Sequence, residues 1–248
     1  MSKITALILA AGLGVRMGPR GTLTPKGLIE MGGVGLVPQS VDSLRRWGVD
    51  RIVIVTGHLA EQYESTFAGH DVELIHNSDY QTTGSLLTLS KGLDVIEGPC
   101  VILESDLIYA PQVLDGVRRG QDCFMVSGPT GAGDEVYTWF DADAGNRMQL
   151  ISKQLSDRSD TPAGEMIGVT GLSGESVENM RDVAARVYAR SPGAHYEDGL
   201  VELSKTTPIE CVLFPEIPWA EIDDEDMLAA AARDVFPKIL AARKAAWS

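Results

Sequence analysis

The chain has 248 residues, 44% of them hydrophobic and 23% charged, a length and balance that suit a globular α/β chain with a sizeable core and exclude a disordered or fibrous one. A formal net charge of −14, with a pI near 4.6, excludes nucleic acid as a partner, because phosphate backbones are held by clustered Lys and Arg. Any anionic ligand must meet a local cationic site, or arrive as a magnesium complex whose metal is held by carboxylates.

The chain opens on an apolar run, residues 4–9, preceded by a single cation and followed by a glycine loop in place of a cleavage site, so it reads as a buried strand and not as a leader. No run approaches the roughly 20 apolar residues of a membrane span, and the expected location is the cytoplasm. Short apolar runs at 4–9, 52–55, 72–75 and 101–103 then alternate with amphipathic segments at 34–47, 59–67, 85–96 and 111–118. That alternation predicts right-handed βαβ units: a single-domain, Rossmann-like α/β fold with a mostly parallel sheet and helices on both faces.

Past residue 136 the texture changes. "VYTWFD" and "NRMQLISK" flank the turn "ADAG", a polar stretch at 157–164 follows, and "EMIGVTGL" comes next. Antiparallel strands are expected across 136–170, as a small insertion at the sheet's carboxyl edge, and then a helix over 175–189. Residues 225–247 are Ala-rich and helical, broken once by Pro237. Their apolar residues Leu228, Val235, Ile239 and Leu240 would pack on the core or offer a homodimer face. Neither repeat nor linker divides the chain, so 1–248 is read as one domain. Cys100, Cys123 and Cys211 are widely spaced without a CxxC, which predicts buried thiols.

The first strand leads into "LILAAGLGVRMGPRGTLTPKGLIEMGG". Gly12, Gly14 and Gly18 follow a strand, but the third glycine falls one residue late for a dinucleotide fingerprint, Pro19 blocks a helix, and the second strand ends "VIVTGH" without an acidic residue. No G-K-[ST] follows, which excludes a Walker loop. What remains is a long loop of bare amides able to form an anion-binding concavity, with Arg16 and Lys26 placed to straddle a chain of phosphates.

The stretch "AAGLGVRM…TPKGLIEMGG" resembles the signature of nucleotidyltransferases (pyrophosphorylases), G-x-G-x-R followed by P-K. The likeness continues through "VDSLRRWGVDRIVIVTGH", "HNSDYQTTGSLLTL", "VILESDLIY", "GAGDEVYTWF", "GEMIGVTGLS" and "WAEIDDEDM". Within that superfamily the chain looks most like small cytidylyltransferases acting on phosphonates, of the 2-aminoethylphosphonate type, or on phosphocholine. The loop insertion "GPRGTLT" departs from the usual pattern and leaves Arg20 an extra cation with no assigned role.

The resemblance implies attack of an acceptor phosphate or phosphonate oxygen on the α-phosphorus of CTP, with Mg²⁺ as cofactor and pyrophosphate as leaving group. It implies that Arg16 holds the triphosphate, that Lys26 spans the α-phosphate and acceptor, and that Lys153 reaches the acceptor from the antiparallel segment. Asp106 and Asp223 are the implied metal ligands, and Asp224 and Asp226 alternatively serve as helix N-terminal charges. The backbone of Leu9, Ala10, Ala11, Gly12 and Gly14, with Thr83, Gly84 and Ser85, would receive the nucleotide; Thr83 or Ser85 could equally be plain helix caps. Glu165 and Asp198 are candidates to face the acceptor's distal group, where carboxylates suit a primary ammonium and an aromatic cage suits choline. The alternatives are a phosphocholine cytidylyltransferase, a sugar-1-phosphate nucleotidyltransferase, or a nucleotide-binding regulator without turnover.

Overall fold

In the computed structural model, residues 3–131 and 135–247 are described. Ala132, Gly133 and Asp134, in the "GAGDEVYTWF" stretch of the resemblance, lie outside them. Nine strands form one sheet: β1 (Thr5–Ala10), β2 (Arg51–Thr56), β3 (Glu73–His76), β4 (Cys100–Glu104), β5 (Cys123–Ser127), β6 (Tyr137–Asp141), β7 (Arg147–Ser152), β8 (Gly164–Leu172) and β9 (Glu210–Phe214). Their spatial order is β3-β2-β1-β4-β8-β5-β9-β7-β6. The first four in chain order are mutually parallel, as the βαβ alternation predicts.

The alternation of β1 explains its unbroken apolar run. Leu7 and Leu9 point into one apolar layer, with α3 (Ser85–Leu93), α4 (Gly174–Arg190) and α5 (Tyr196–Ser204) above them, while Ala6, Ile8 and Ala10 point into the other, under α1 (Leu36–Trp47) and Tyr63 of α2 (Ala60–Thr66). Both faces are covered, so every position of this strand is buried and Thr5 is its one polar residue.

The 136–170 segment does more than sit on the sheet's edge. β6 and β7 pair antiparallel, β7 reaches β9, and β6 returns to the start of β8 at Gly164↔Thr138 and Glu165↔Tyr137. The pairings of β8, β5, β9, β7 and β6 thus close a ring, and β8 is the strand the ring shares with the parallel half. Every residue of β8 is buried, which its composition "GEMIGVTGL" permits because it carries a single charge, Glu165.

At the C-terminus, the break expected at Pro237 takes the form of a π turn over Ala231–Val235 followed by α6 (Phe236–Ala246). Proline sits in the first turn of α6, where its missing N–H costs no intrahelical bond. Ile239 is fully buried against Met17, Ile29, Met31 and Ile222, with Leu228 and Val235 packed alongside, whereas Leu240 is 48% exposed. This helix therefore covers a third small core beneath the segment that follows β1. All three cysteines are buried thiols. The segment expected as a helix at 111–118 shortens to Gln112–Asp115, ended by Gly116. Among the described residues no helix is long and apolar enough to cross a membrane.

Candidate active site

The carboxyl ends of β1 and β4, the loop after β1 and the N-terminus of α3 surround a cleft of about 410 Å³. An open parallel sheet presents its strand ends to a ligand at such a place. Of the residues singled out in the sequence, the cleft brings together Leu9, Ala10, Ala11, Gly12, Gly14, Arg16, Lys26, Thr83, Gly84, Ser85, Asp106, Lys153 and Asp223.

Two chain segments 197 residues apart carry the charges at its centre. Trp219–Glu221 pairs antiparallel with Leu107–Tyr109, and the Ile222 amide donates to the Asp106 carbonyl at 2.9 Å, which fixes the segment ending in Asp223 beside Asp106. Lys26 Nζ lies 2.6 Å from Asp106 Oδ2 and donates to Asp223 Oδ1, while Arg16 Nη2 is 2.6 Å from Asp223 Oδ2. Asp223 is almost wholly buried (1% exposed), and Arg16 is half exposed (54%), so the arginine holds its partner from the cleft mouth. Burial pulls the Lys26 ammonium down, but Asp106 and Asp223 outweigh it and keep the group above its ordinary value. Arg20, the cation without a role, pairs with Glu225 at 2.5 and 3.1 Å and ties the phosphate loop to the segment beyond Asp223.

On the opposite wall, α3 begins at Gly84 with no side-chain cap. A Cβ on Gly84 would stand 2.0 Å from the Ala194 carbonyl oxygen, so only glycine lets the α3 start lie against the loop before α5. Thr83 and Ser85 are not caps. The Thr83 hydroxyl donates to the Asp79 carbonyl at 2.9 Å, and Ser85 Oγ accepts from the Tyr196 amide at 3.0 Å and lies 3.3 Å from His195 Nδ1. The start of α3 is held by backbone bonds to the loop before α5, Gly84 N–H donating to the Pro192 carbonyl at 3.1 Å and Leu86 N–H to the Ala194 carbonyl at 3.3 Å.

A family model described as a MobA-like NTP transferase domain matches residues 6–159, more than half of the chain. The chain belongs to this family. Over 162 residues, 62% of this chain and 63% of the relative, the transferase domain is 34% identical to a 2-aminoethylphosphonate cytidylyltransferase of Lancefieldella rimae. Over 128 residues, 50% of this chain and 20% of the relative, it is 30% identical to a CMP-5'-(3-aminopropyl)phosphonate synthase of Streptomyces rubellomurinus. The aligned stretches therefore span less than two thirds of either relative's own length. The fold matches that of a CTP:phosphocholine cytidylyltransferase from Streptococcus pneumoniae with a TM-score of 0.77 at 20% identity, covering 93% of this chain and 98% of that one.

Two of the expected site residues lie elsewhere in this transferase domain. Asp198 closes a capping box at the start of α5, accepting from the His195 amide at 2.8 Å, and does not line the cleft. Its neighbour Glu197 does, together with Lys153 and His195. Glu165 is buried outside the cleft, where it accepts from the Thr130 amide and hydroxyl, both at 2.7 Å. Asp224 is also a cap, accepting from the Met227 amide at 2.7 Å.

Three carboxylates went unread in the sequence: Glu104, Glu197 and Glu221. Oxygens of Glu104, Asp106 and Glu221 all lie within 4.8 Å of one another, and Asp106 Oδ1 is buried without a hydrogen-bond partner. Burial first, then neighbouring carboxylates, push the Glu104 carboxyl well above its ordinary range and the Glu221 carboxyl up to about 9, with Lys26 opposing. Crowded, half-buried carboxylates of this kind repel one another until a cation joins them. The donor set, all oxygen and facing a cleft, suits Mg²⁺, which keeps few protein ligands and completes its shell with substrate oxygens and water.

Proposed function

We propose that the chain is a Mg²⁺-dependent cytidylyltransferase that couples CTP to a small phosphonate, 2-aminoethylphosphonate first among them, giving a CMP-phosphonate and pyrophosphate. The observation that carries this reading is the arrangement of Lys26 and Arg16 about Asp106 and Asp223 at the floor of a cleft whose other wall is the start of α3. Bound at Glu104, Asp106 and Glu221, with Asp223 adjacent, Mg²⁺ would supply positive charge to the phosphate oxygens.

The protein's own part is to place two anions against each other and neutralise them. The loop after β1 and the start of α3 receive the nucleotide, and small side chains at Ala10, Ala11 and Gly12 leave room for it. Arg16, half exposed at the cleft mouth, would turn from Asp223 to the triphosphate tail and hold the departing pyrophosphate. Lys26 is held by its carboxylate partners, only 15% exposed, and would present its ammonium where the α-phosphate and acceptor oxygen meet. The acceptor oxygen is already anionic at neutral pH, so no residue need remove a proton from it.

The acceptor's far end is read from Glu197 and Lys153. Lys153 is placed to meet the phosphonate, and Glu197 gives an ammonium a partner. Among the described residues the aromatic rings lining the cleft are Tyr63, Tyr80 and His195. Tyr63 is buried, Tyr80 stands near His58 and His76 on the nucleotide side, and these do not make a cage for trimethylammonium. A primary amine is therefore favoured over choline.

Pyrophosphate release from CTP and Mg²⁺ tests the reading with a panel of 2-aminoethylphosphonate, phosphocholine and sugar 1-phosphates. Turnover greatest with 2-aminoethylphosphonate is the expected result. Preference for phosphocholine would replace the acceptor assignment, and CTP binding without pyrophosphate release across the panel would make the protein a nucleotide-binding regulator.

A further inference from the structure

A second cavity, about 400 Å³, opens beside the cleft and shares Val136, Met166 and Glu221 with it as common walls. Its lining has two chemistries. One part is apolar, from Met166, Trp219, Met227 and Val235 with the small Ala230 and Ala231 between them. The ionisable part consists wholly of carboxylates among the described residues: Glu135, Glu165, Glu221, Asp226 and Asp234. A third cavity, on the Lys153 and Glu197 side, contains Lys153 and Arg190 beside its acids and has no such uniform sign.

We infer that the second cavity is a tail chamber of the acceptor site, taking the distal part of an acceptor whose amine stands on an aliphatic chain longer than two carbons. This rests on the proposed transferase reaction, since it assigns the acceptor's tail and not the nucleotide. The shared walls put the chamber next to the place where the reacting phosphonate would lie. Apolar walls suit a run of methylenes, whose removal from water is favourable. The carboxylates suit an ammonium at its end. Glu165 is 3% exposed and held in one orientation by the two hydrogen bonds from Thr130, so its charge is fixed in the wall and not spread over a mobile surface. The π turn Ala231–Val235 brings Ala231 and Val235 to the chamber, and wide turns of this kind are frequent at functional sites.

The test is a series of ω-aminoalkylphosphonates with two to five methylenes, and the matching alkylphosphonates without the amine. Each is measured for pyrophosphate release with CTP and Mg²⁺, and for direct binding by calorimetry in the presence of CMP. Binding and kcat/KM should hold or rise from two to four methylenes, and the amine should improve the longer acceptors at least fivefold over their amine-free counterparts. Ala230→Phe, which fills the chamber, should cost the four-carbon acceptor tenfold or more and 2-aminoethylphosphonate less than threefold. Glu165→Gln should remove most of the amine's advantage in the longer acceptors; melting curves establish that both variants are folded. Binding that weakens with every added methylene, or an Ala230→Phe loss equal for short and long acceptors, would overturn the chamber. No pyrophosphate from any acceptor, with binding still following chain length, would remove the proposed reaction and keep the chamber.

Discussion

Lys26 stands between two carboxylates and takes part in an ion cluster at the one point where a phosphate must come. Removing one charge there leaves Asp106 and Asp223 facing each other with Arg16 alone to separate them. Lys26→Ala should therefore lower turnover roughly a hundredfold, about 3 kcal/mol of transition-state stabilisation, with a much smaller change in CTP affinity; steady-state kinetics beside CTP calorimetry would show the split, and near-normal turnover in the folded variant would remove Lys26 from the reaction. Glu165 gives a prediction in pH. Burial raises its carboxyl, the Thr130 and Gly131 donors oppose this, and Glu135 raises it further. The folded state then holds a proton that the unfolded state has released just above the ordinary carboxylate value near 4.3. Stability from this group thus declines as pH rises through that window, from about 4.5 upward, and Glu165→Gln should flatten the decline in Tm. An unchanged slope in the glutamine variant would assign the pH dependence to another group.

The segment 219–226 shows what an element adds to its residues. It carries Glu221 and Asp223 towards the cleft and turns Asp224 away as the N-cap of Glu225–Ala230. In a Mg²⁺ titration of turnover, Asp223→Asn should raise the metal requirement, and Asp224→Asn, which keeps a good cap, should leave it unchanged; Asp224→Ala should cost about 1 kcal/mol of stability instead. A metal shift in Asp224→Asn and none in Asp223→Asn would reverse the assignment. The sequence made part of this legible. Arg16 and Lys26 could be read because they lie close together after the first strand, where spacing excludes the competing phosphate loops; the segment between them is not the expected open loop, since Pro19 begins a short helix, Pro19–Leu23, instead of blocking one. "WAEIDDEDM" and "HYEDGL" each offer adjacent carboxylates, and which one faces the cleft depends on where a helix begins, a matter of one residue that composition does not fix. Asp198 was read for Glu197 for this reason. Glu104 looked like the end of a buried strand, and only the pairing of Trp219–Glu221 with Leu107–Tyr109 across the fold makes it one of three converging acids. Glu165 was legible as a charge within an apolar strand but not as the wall of a second cavity, because that cavity also needs residues 219–235.

At the scale of the molecule, β8 is the common member of the parallel half and the antiparallel ring, and the site depends on its shape. Gly168 lies where the β8–β5 register shifts, with φ +79, and a Cβ there would come 2.5 Å from Glu104 Oε2 and 3.0 Å from Leu107 Cδ1. The bend that lets β8 pair with β4 at one end and β6 at the other therefore also seats a carboxylate of the candidate metal cluster. Gly168→Ala should cost roughly 1–3 kcal/mol through backbone strain, which lowers Tm by about 2–4 °C for each kcal/mol in a chain of this size. The same change should displace the Glu104 carboxylate and raise the Mg²⁺ needed for half-maximal turnover. Instability alone does not predict that second effect, and Val177→Ala separates the two: Val177 is fully buried in α4, and losing its methyl groups should cost about 2 kcal/mol through lost apolar contact and a small cavity. If Val177→Ala and Gly168→Ala melt equally low and only Gly168→Ala shifts the magnesium titration, the seam of the sheet sets the geometry of the site. If neither shifts it, Glu104 belongs to the core and the metal is held by Asp106 and the 221–223 segment without it.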